Sequence, residues 1–548
     1  MPGTLTRVAR TLIALAALAG LLAPADVGAQ ERAILRVAAR PITGATAGIP
    51  LPDPQALPAG PSAARDLVEN LFVGLFRYDA ATRQAAPVLA RNWSVSADGL
   101  TWTFSLREDI PWVSFNAPEG AIQALRPVVA DDVVAALRRA CHPLKPKPAS
   151  TAIFIIRGCY AALQANPLLT TDEQIAALIG AEAPDPTTLV LHLTFPAAYL
   201  PGLLAAPEFR PIPREFAAFT AAWPMQASNG PYVLTGWTAG ERLILERNPF
   251  WPDPLPGNID RVEITYGDDP GEVFAAGEAD FVRLGAETAP GASALRGDRV
   301  TVLGFSTERT FVNAAGVRQA LSWSIDRAAL VADDSGHLAV TTFTHPGSIA
   351  GPEEAAAVGY APEAARAALA AAGYPGCNHV PEVLKLGVPP GQEPLAAQII
   401  GMWSSVLGCQ PGLFEVVRVR AATLRNIGRD LIDEEASDRI HLWLTDYTPE
   451  HLDAHGGAAD AFHCTFGYFH SGLPCGAVDA LIDWAATSVI DPAERADVYT
   501  RIEARLFGPA GTIPVVPLYA NAEYMGVAAG LTGVGDYGPA WWGAWIKS

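Results

Sequence analysis

The sequence lacks most of the features that mark an enzyme or a membrane protein. It contains no GxSxG, HExxH or SxxK string, the patterns that place the nucleophile or the metal in several large hydrolase classes. Beyond the N-terminal leader region, no apolar run is long enough to cross a membrane. Internal repeats and low-complexity tracts are also absent. These absences disfavour a hydrolase, an integral membrane protein and a repeat protein.

Positive charge is scarce as well. The chain has 38 Lys and Arg against 57 Asp and Glu, which gives a formal net charge of −19. Nucleic acids and anionic lipid surfaces both repel a protein of that sign. We therefore expect that the protein neither binds nucleic acid nor inserts into a membrane.

The first 29 residues have the pattern of a secretory signal peptide. Arg7 and Arg10 form a positive start, residues 12–22 are an apolar run, and residues 27–29 form a small-residue cleavage site. The alternative is a permanent N-terminal anchor, for which the apolar run is short. The first cysteine is Cys141, so no cysteine stands directly after the cleavage site. We expect a mature chain that is free in solution and is not a lipoprotein.

Cysteines are few, but they fall in three near pairs. An even count in an exported protein favours disulfides, although six cysteines allow many pairings. We predict the sequential pairing, because each bridge then closes a short local loop. The alternative is a metal site, which the absence of any CxxC pair disfavours. The predicted bridges are Cys141–Cys159, Cys377–Cys409 and Cys464–Cys475.

Residues 229–251 predict a β-hairpin. Residues 232–237 alternate large apolar and smaller side chains, residues 238–241 supply a turn, and residues 242–247 run out again. Further strands are predicted at 33–39, 101–106, 187–194, 260–266, 383–387, 414–419, 438–447 and 513–519. Helices are predicted to open at 62 and 129 and to span 317–330, 362–372, 394–407 and 492–507. Residues 113–127 have the character of an insertion, and residues 448–477 that of a loop.

The chain is too long for a single core, so we expect two or more lobes. In the second half, strand, helix and strand alternate, which is typical of an open α/β sheet. At the start of the helix that opens near residue 129, Asp131 and Asp132 form an acidic pair. We assign this pair to helix capping rather than to acid–base catalysis.

The hairpin string GPYVLTGWTAGERLILERNPFW resembles the hairpin shared by extracytoplasmic solute-binding proteins of the peptide/nickel class, family 5, which serve ABC importers. Other segments resemble the same family in the same order. They include ENLFVGLFRYD, LARNWSVSADGLTWTFSLRED and VRQALSWSIDRAAL. The resemblance covers nearly the whole mature chain.

This resemblance implies an α/β fold, the two-lobed clamshell of periplasmic binding proteins of class II, with an extra subdomain in lobe I. Hinge closure of two lobes on a ligand is an established mode of conformational change. The expected limits are the signal peptide at 1–29, lobe I at 30–300 with its subdomain at about 66–185, lobe II at 301–505, and a C-terminal return to lobe I at 506–548.

The resemblance also implies a function. It predicts a monomeric, periplasmic substrate-binding component of an ABC importer, which captures a small solute and delivers it to the membrane permease. A peptide or a similar amine-bearing compound is the predicted solute, and neither a cofactor nor catalysis is expected. The alternatives are a ligand sensor, a binder of nickel, haem or another metal chelate, and, less favoured, an exported hydrolase.

Asp446 is the main candidate ligand-binding residue. In peptide-binding members of the family, a WxxDY-type segment presents an aspartate to the amino terminus of the ligand, and here the string is WLTDY at 443–447. The family then usually shows Asp-Pro or Glu-Pro, whereas this chain has Thr-Pro-Glu at 448–450. The alternative is a solvated aspartate at a strand end. Trp443, Tyr447 and Tyr468 are predicted pocket walls, with burial in the core as the alternative.

Four histidines crowd one region of the second half: His451, His455, His463 and His470. The first two stand four residues apart, which on a helix is the spacing of two ligands to one metal. Many glycines in the region disfavour a helix there. Metal binding by these residues therefore stays an open alternative.

Overall fold

The computed structural model describes ten parts of the chain: residues 33–41, 53–57, 62–144, 151–216, 227–333, 336–352, 357–420, 440–469, 474–534 and 541–547. The predicted signal peptide at 1–29 and His470 lie outside these ranges. Within the ranges, no helix is both long and apolar enough to span a bilayer.

Twenty-two strands form five sheets in the described residues. They are β1 Ala33–Ala39, β2 Phe76–Asp79, β3 Gln84–Pro87, β4 Ala90–Val95, β5 Thr101–Leu106, β6 Pro111–Asn116, β7 Ala121–Pro127, β8 Ala181–Asp185, β9 Thr188–His192, β10 Ala227–Ser228, β11 Tyr232–Thr238, β12 Arg242–Arg247, β13 Ile259–Tyr266, β14 Phe281–Gly285, β15 Ala292–Phe305, β16 His337–Ala339, β17 Leu384–Val388, β18 Phe414–Arg418, β19 Leu442–Tyr447, β20 Val515–Val527, β21 Leu531–Thr532 and β22 Trp545–Ile546.

Helices cover the sheets. They are α1 Ala63–Leu71, α2 Ala130–Ala140, α3 Cys159–Leu163, α4 Asp172–Leu178, α5 Leu200–Leu203, α6 Pro270–Ala275, α7 Ala315–Trp323, α8 Arg327–Leu330, α9 Pro362–Ala371, α10 Glu393–Leu407, α11 Ala458–Phe462, α12 Ala477–Thr487 and α13 Pro492–Phe507. Most begin at a residue that favours a helix start, such as Ser62, whose side chain accepts a hydrogen bond from the Arg65 amide.

The largest sheet has eleven strands and runs through both lobes. Its order is β11-β12-β13-β1-β14-β20-β15-β19-β17-β18, and β16 pairs with β20. On one side, β1 is parallel to β13 and β14. On the other side, β17 is parallel to β18 and β19. Each side is thus the parallel part of an α/β lobe.

Two long antiparallel strands, β15 and β20, join these sides, and we call them the crossing strands. The first half of β15 pairs with the second half of β20, where β14 also pairs. The second half of β15 pairs with the first half of β20 and with β19. Their register shifts between Arg296 and Val300. Regular pairing is therefore interrupted between the part of β20 that pairs with β14 and the part of β15 that pairs with β19.

The buried side chains form separate cores on the two sides. One core contains Leu35, Leu67 and Phe104 and fills lobe I together with its subdomain. Two others cover the opposite faces of the lobe II sheet, around Leu386 and around Trp443. The fold is the predicted two-lobed α/β clamshell, while the limits of the lobes stay a prediction.

The subdomain is a four-stranded sheet, β4-β5-β9-β8, against which α2 packs. At the start of α2, Asp132 accepts hydrogen bonds from the amide of Val129 at 3.0 Å and from the indole of Trp112 at 2.9 Å. Arg126 forms an ion pair with the same carboxylate at 2.7 Å. Asp132 therefore serves as a helix cap and a structural anchor, as predicted, while Asp131 forms an exposed ion pair with Arg214 at 2.9 Å.

Several sequence predictions agree with these bounds. The hairpin is β11 and β12, and α13 has the predicted limits. Two predictions are wrong. The predicted helix at 317–330 is two helices, because α7 ends before Ser324 and the Asp326 side chain caps α8 through the Ala329 amide. The predicted loop at 448–477 contains a helix, α11.

The insertion-like stretch at 113–127 also has regular structure. Most of it lies in the hairpin β6–β7, whose strands pair from Pro111 with Pro127 to Asn116 with Ala121.

The three disulfides have the predicted sequential pairing. Cys141 bonds to Cys159, Cys377 to Cys409, and Cys464 to Cys475. The first bridge is fully buried and ties the end of α2 to the start of α3. It closes a loop with a sequence separation of 18 residues.

Replacing both Cys141 and Cys159 with alanine should lower the free energy of unfolding by about 3 kcal/mol, because the unfolded chain regains the entropy of that loop. Urea titration followed by tryptophan fluorescence measures the loss. In the wild-type protein, alkylation without reductant should modify no cysteine and alkylation after reduction should modify all six. Several reactive thiols in the unreduced protein would contradict the assignment.

Candidate functional site

A row of polar side chains crosses four neighbouring strands beside the crossing point. Asp446 of β19 pairs with Thr301 of β15, and Thr301 pairs with Tyr519 of β20. On the far side of Tyr519, the ring of His337 of β16 lies 4.4 Å from the tyrosine ring, centroid to centroid. Directly paired residues of antiparallel strands project from the same face. We call Asp446, Thr301, Tyr519 and His337 the polar row.

The row presents a fixed carboxylate. The hydroxyl of Thr301 donates to Oδ1 of Asp446 at 2.7 Å. Thr301 is buried, whereas Asp446, Tyr519 and His337 are half-buried. A carboxylate has several acceptor positions, so Asp446 can take further donors from a ligand. The arrangement suits a cationic or N–H-rich group, with aromatic rings alongside.

The row lies next to the irregular part of the crossing strands. Thr301 follows directly on the register shift that ends at Val300. Within this shift, the Arg299 amide donates to Oδ1 of Asn521 at 3.0 Å. Asp446 therefore lies beside the part of the sheet in which the regular pairing of the crossing strands is interrupted.

Trp443 and Tyr447 do not lie beside Asp446. Side chains alternate along a strand, so both residues of β19 project from the opposite face. Trp443 is 3% exposed and its ring lies 5.3 Å from that of Phe469. Tyr447 is also buried, and its hydroxyl donates to the carbonyl of Gly456 at 2.6 Å. The structure thus places these two predicted pocket walls in the core of lobe II.

Tyr468 packs with Tyr447 on that same side, with ring centroids 5.2 Å apart. It is half-buried. It therefore borders the aromatic core and not the polar row.

Thr301, Tyr519 and His337 did not emerge from the sequence. They lie on three strands that are distant along the chain from Asp446, and no local pattern sets them apart. A correct pairing of the crossing strands would have been needed to find them.

The histidines form a second polar cluster, at a contact between α5 and lobe II. The rings of His451 and His455 both stack on Tyr199, with centroids 5.8 and 4.1 Å away. Their Nε2 atoms face the two oxygens of Asp460, at 3.2 and 3.4 Å. His455 and Tyr199 are almost fully buried. The carboxylate of Asp460 therefore faces both imidazoles.

A buried ion pair adjoins this cluster. Arg495 pairs with Asp453 through two hydrogen bonds, one of them 2.9 Å long, and donates to the hydroxyl of Tyr499 at 2.8 Å. The same hydroxyl lies 3.1 Å from Nδ1 of His455. A Cβ added at Gly202 of α5 would approach the Asp453 carboxylate to 2.5 Å, so the two elements pack closely.

The pKa values of the two histidines are shifted in opposite directions. Burial lowers the pKa of His455 to about 4, against the opposing pull of Asp460 and Asp453. Burial also acts to lower the pKa of His451. The hydrogen bond from His451 to Asp460 and the negative charge of that carboxylate have a larger combined effect, so the pKa of His451 is raised. His455 is thus held neutral in the folded protein.

The described histidines do not converge on one metal position. His463 lies apart, 3.3 Å from Asp483 and stacked on Phe466. Among the described residues, His463, Cys464 and Asp479 have possible ligand atoms within 4.8 Å of one another. Cys464, however, is bonded to Cys475 and offers no thiolate.

The two-lobed clamshell with its crossing strands is the fold of a periplasmic binding protein. Residues 84–447 match the family model described as bacterial extracellular solute-binding proteins, family 5 Middle. The match spans well over half of the chain, and the chain belongs to this family.

Individual relatives agree with this assignment. The chain is 29% identical over 213 residues to the oligopeptide-binding protein AliB of Streptococcus pneumoniae, covering 38% of this chain and 31% of that protein. It is 31% identical over 206 residues to the periplasmic oligopeptide-binding protein OppA of Escherichia coli, covering 36% of this chain and 34% of that protein. The chain thus spans about a third of the length of these curated relatives.

The fold matches over almost the full length. Against the unliganded open form of the periplasmic murein tripeptide binding protein MppA, the TM-score is 0.71 at 20% identity, covering 94% of this chain and 96% of that one.

His455→Gln should flatten the pH dependence of stability between about pH 4 and pH 6.5. In that window the unfolded wild-type chain binds a proton at His455 and the folded protein does not, so stability rises with pH. Removing the group should reduce this slope by about 1.4 kcal/mol per pH unit. Urea titrations at pH 4.5, 5.5 and 6.5 measure the slope.

His451→Gln is the matched control, because the raised pKa of His451 acts with the opposite sign. Its stabilising contribution is present at acid pH and is lost as the pH rises through the folded-state pKa. Below pH 6.5 the slope should therefore stay close to that of the wild type, and above pH 6.5 the loss of stability with rising pH should be smaller in this variant. Equal slopes in the two variants and the wild type would contradict the assignment.

Proposed function

We propose that the protein is the substrate-binding component of an ABC importer and that its cargo is a short peptide or a similar compound with a free amino group. The observation that carries the cargo proposal is the carboxylate of Asp446, fixed by Thr301 and half-exposed beside the crossing strands. The printed names of several relatives as oligopeptide-binding proteins support the same class.

In this proposal, the ammonium group of the ligand binds Asp446. The Thr301 hydroxyl holds one carboxylate oxygen, so little side-chain freedom is lost on binding. The rings of Tyr519 and His337 border the bound group. Two unlike charges in a partly buried site attract more strongly than in water. The protein binds its ligand without forming or breaking a covalent bond.

Closure would follow from the irregular part of the crossing strands. Between Arg296 and Val300 the regular ladder is interrupted, and fewer hydrogen bonds resist bending there. A ligand favours the closed form only by contacts that the open form lacks. The interruption supports a boundary between lobe I and lobe II near residue 300, with the return to lobe I after residue 506.

Partner and location follow from the same proposal. A signal peptide at 1–29 would export the chain, and the family is one of extracellular solute-binding proteins. The closed, loaded form would then dock on the membrane permease as a monomer and release its cargo there. Three intramolecular disulfides fit an oxidising compartment such as the periplasm.

Asp446→Asn should weaken binding of a peptide with a free amino terminus by more than tenfold, about 1.4 kcal/mol, because the site loses its negative charge. Isothermal titration calorimetry against a pool of tripeptides, and then against its best binder, measures the change. The wild type should also bind the N-acetylated peptide more weakly than the same peptide with a free amino terminus.

The same peptide pair supplies the control. In Asp446→Asn, acetylation of the peptide should leave its affinity almost unchanged, because the carboxylate that binds the amino group is already absent. Asp483→Asn, which removes a carboxylate beside His463 instead, should bind like the wild type. Equal affinities of wild type and Asp446→Asn for the free-amine peptide would remove Asp446 from the site.

A further inference from the structure

A short segment beside the crossing strands is in contact with both lobes. It consists of residues 342–350, which we call the strap, and it follows shortly after β16, whose His337 belongs to the polar row. Phe343, at the start of the strap, is part of a core of lobe II. Ile349, near its end, is 1% exposed and belongs to the core of lobe I. The strap is therefore a second link between the lobes, in addition to the crossing strands.

Two charged side chains fix the start of the strap. Nη1 of Arg296 donates to the hydroxyl of Thr342 at 2.7 Å, and Nη2 donates to the carbonyls of Thr342 and Phe343 at 3.0 and 3.1 Å. The carboxylate of Glu503 in α13 accepts hydrogen bonds from the amides of Phe343 and Thr344 at 3.2 and 2.7 Å. Arg296 borders the register shift of β15 with β20, so the strap begins at the irregular part of the sheet.

The end of the strap contacts the hairpin β2–β3 of lobe I. The hydroxyl of Tyr78 donates to the carbonyl of Gly347 at 2.6 Å, and Nη1 of Arg83 donates to that of Pro346 at 2.9 Å. The amide of Ala350 donates to the carbonyl of Arg83 at 3.2 Å. Arg83 and Ala350 have φ angles of 53° and 55°, in the left-handed region that non-glycine residues seldom adopt. Strained residues of this kind cluster at ligand clamps and switch regions.

The side chain of His345 connects the two ends of this segment. Its Nε2 lies 3.0 Å from the carbonyl oxygen of Arg296, and the amide of Gly347 donates to its Nδ1 at 2.9 Å. A carbonyl only accepts and an amide N–H only donates, so the two hydrogen bonds require the neutral imidazole with its hydrogen on Nε2. A Cβ added at Gly347 would lie 2.8 Å from the ring, so the glycine permits this close approach.

Charged groups from three elements lie around this part of the strap: Arg296 and Asp298 of β15, Glu503 of α13 and Arg83 of the hairpin β2–β3. Burial and the charge of Arg296 lower the pKa of His345, and the charge of Asp298 opposes this shift without reversing it. Burial raises the pKa of Glu503. Acid therefore acts on the strap through two groups, because His345 gains a positive charge and Glu503 loses a negative one.

We propose that His345 makes the link between the lobes sensitive to pH. When Nδ1 binds a proton, the amide of Gly347 loses its acceptor and two N–H groups face each other. The turn at 345–347 then moves away from the ring, and the strap separates from the hairpin β2–β3. The neutral imidazole holds the strap in place, and the imidazolium releases it. This device concerns the contact between the lobes and does not depend on which cargo the polar row binds.

Hydrogen–deuterium exchange of the full chain without ligand, followed by mass spectrometry of peptides that contain residues 345–350, measures how often the strap opens. The exchange rate at each pH is divided by that of the unstructured peptide at the same pH, which gives the opening constant. Between pH 7.5 and pH 5.5 this constant should rise about threefold or more in the wild type. The closed strap holds His345 neutral, whereas the open strap lets it bind a proton.

His345→Gln separates the imidazole from the other acid-sensitive group. The glutamine amide keeps a donor for the carbonyl of Arg296 and does not titrate, so the rise in the opening constant should be less than half of that in the wild type. The part that remains comes from Glu503.

Two further variants serve as controls. Tyr78→Phe removes the hydrogen bond from lobe I to Gly347 and no group that titrates in this range. It should raise the opening constant by a similar factor at both pH values and keep the response to pH. His379→Gln changes an exposed histidine outside the strap and should behave like the wild type.

An opening constant that does not rise with acid in the wild type would overturn the proposal, and this result needs no variant. An equal rise in the wild type and in His345→Gln would assign the effect to Glu503 and overturn the role of His345. The protein carries no ligand in these measurements. Failure of the strap and failure of the proposed function, which the peptide titrations with Asp446→Asn test, are therefore distinguishable.

Discussion

The pairing of β15 with β20 is the contact on which the rest of the molecule depends. Strand β20 pairs with β14 on one side of the sheet and β15 pairs with β19 on the other, so the pairing of β15 with β20 joins the two sides. One sheet thereby extends through a protein whose cores are separate. The sheet is continuous, and the pairing of β15 with β20 is irregular between Arg296 and Val300. In the function proposed above, a ligand on the polar row would lie beside that irregular part.

Polar groups in this protein are placed where lobes and layers meet. The polar row borders the crossing point, and the histidine cluster with the Asp453–Arg495 pair joins α5 to lobe II. A buried ion pair contributes little net stability, yet losing one partner is costly, so such a pair fixes one arrangement against others. The contact at α5 is therefore specific rather than strong. It holds the elements on either side in a single register.

Much of the fold followed from local patterns, and the site followed only in part. Alternation and turn residues predicted β11 and β12, and the limits of α13 were correct, because these signals lie within a few neighbouring residues. The cysteine pairing was also local. The break between α7 and α8 was missed, since a capping aspartate inside an amphipathic stripe has the same apolar spacing as a continuous helix. Asp446 was predicted by family resemblance and stays a proposal, and the structure places the side chains of Trp443 and Tyr447, predicted beside it, in the core of lobe II. Strand alternation would have separated them from Asp446, but Thr301 and Tyr519 required knowledge of non-local pairing.

The central strand β20 comes from the last part of the chain, and this has a consequence for biogenesis. Strand β15 is synthesised more than 200 residues before its partner Val515–Val527 exists. Contacts this distant in sequence form slowly, because a long loop must close first. Until then β15 has an unpaired edge and lobe I lacks Trp541, so the nascent polypeptide resembles an unfinished sheet.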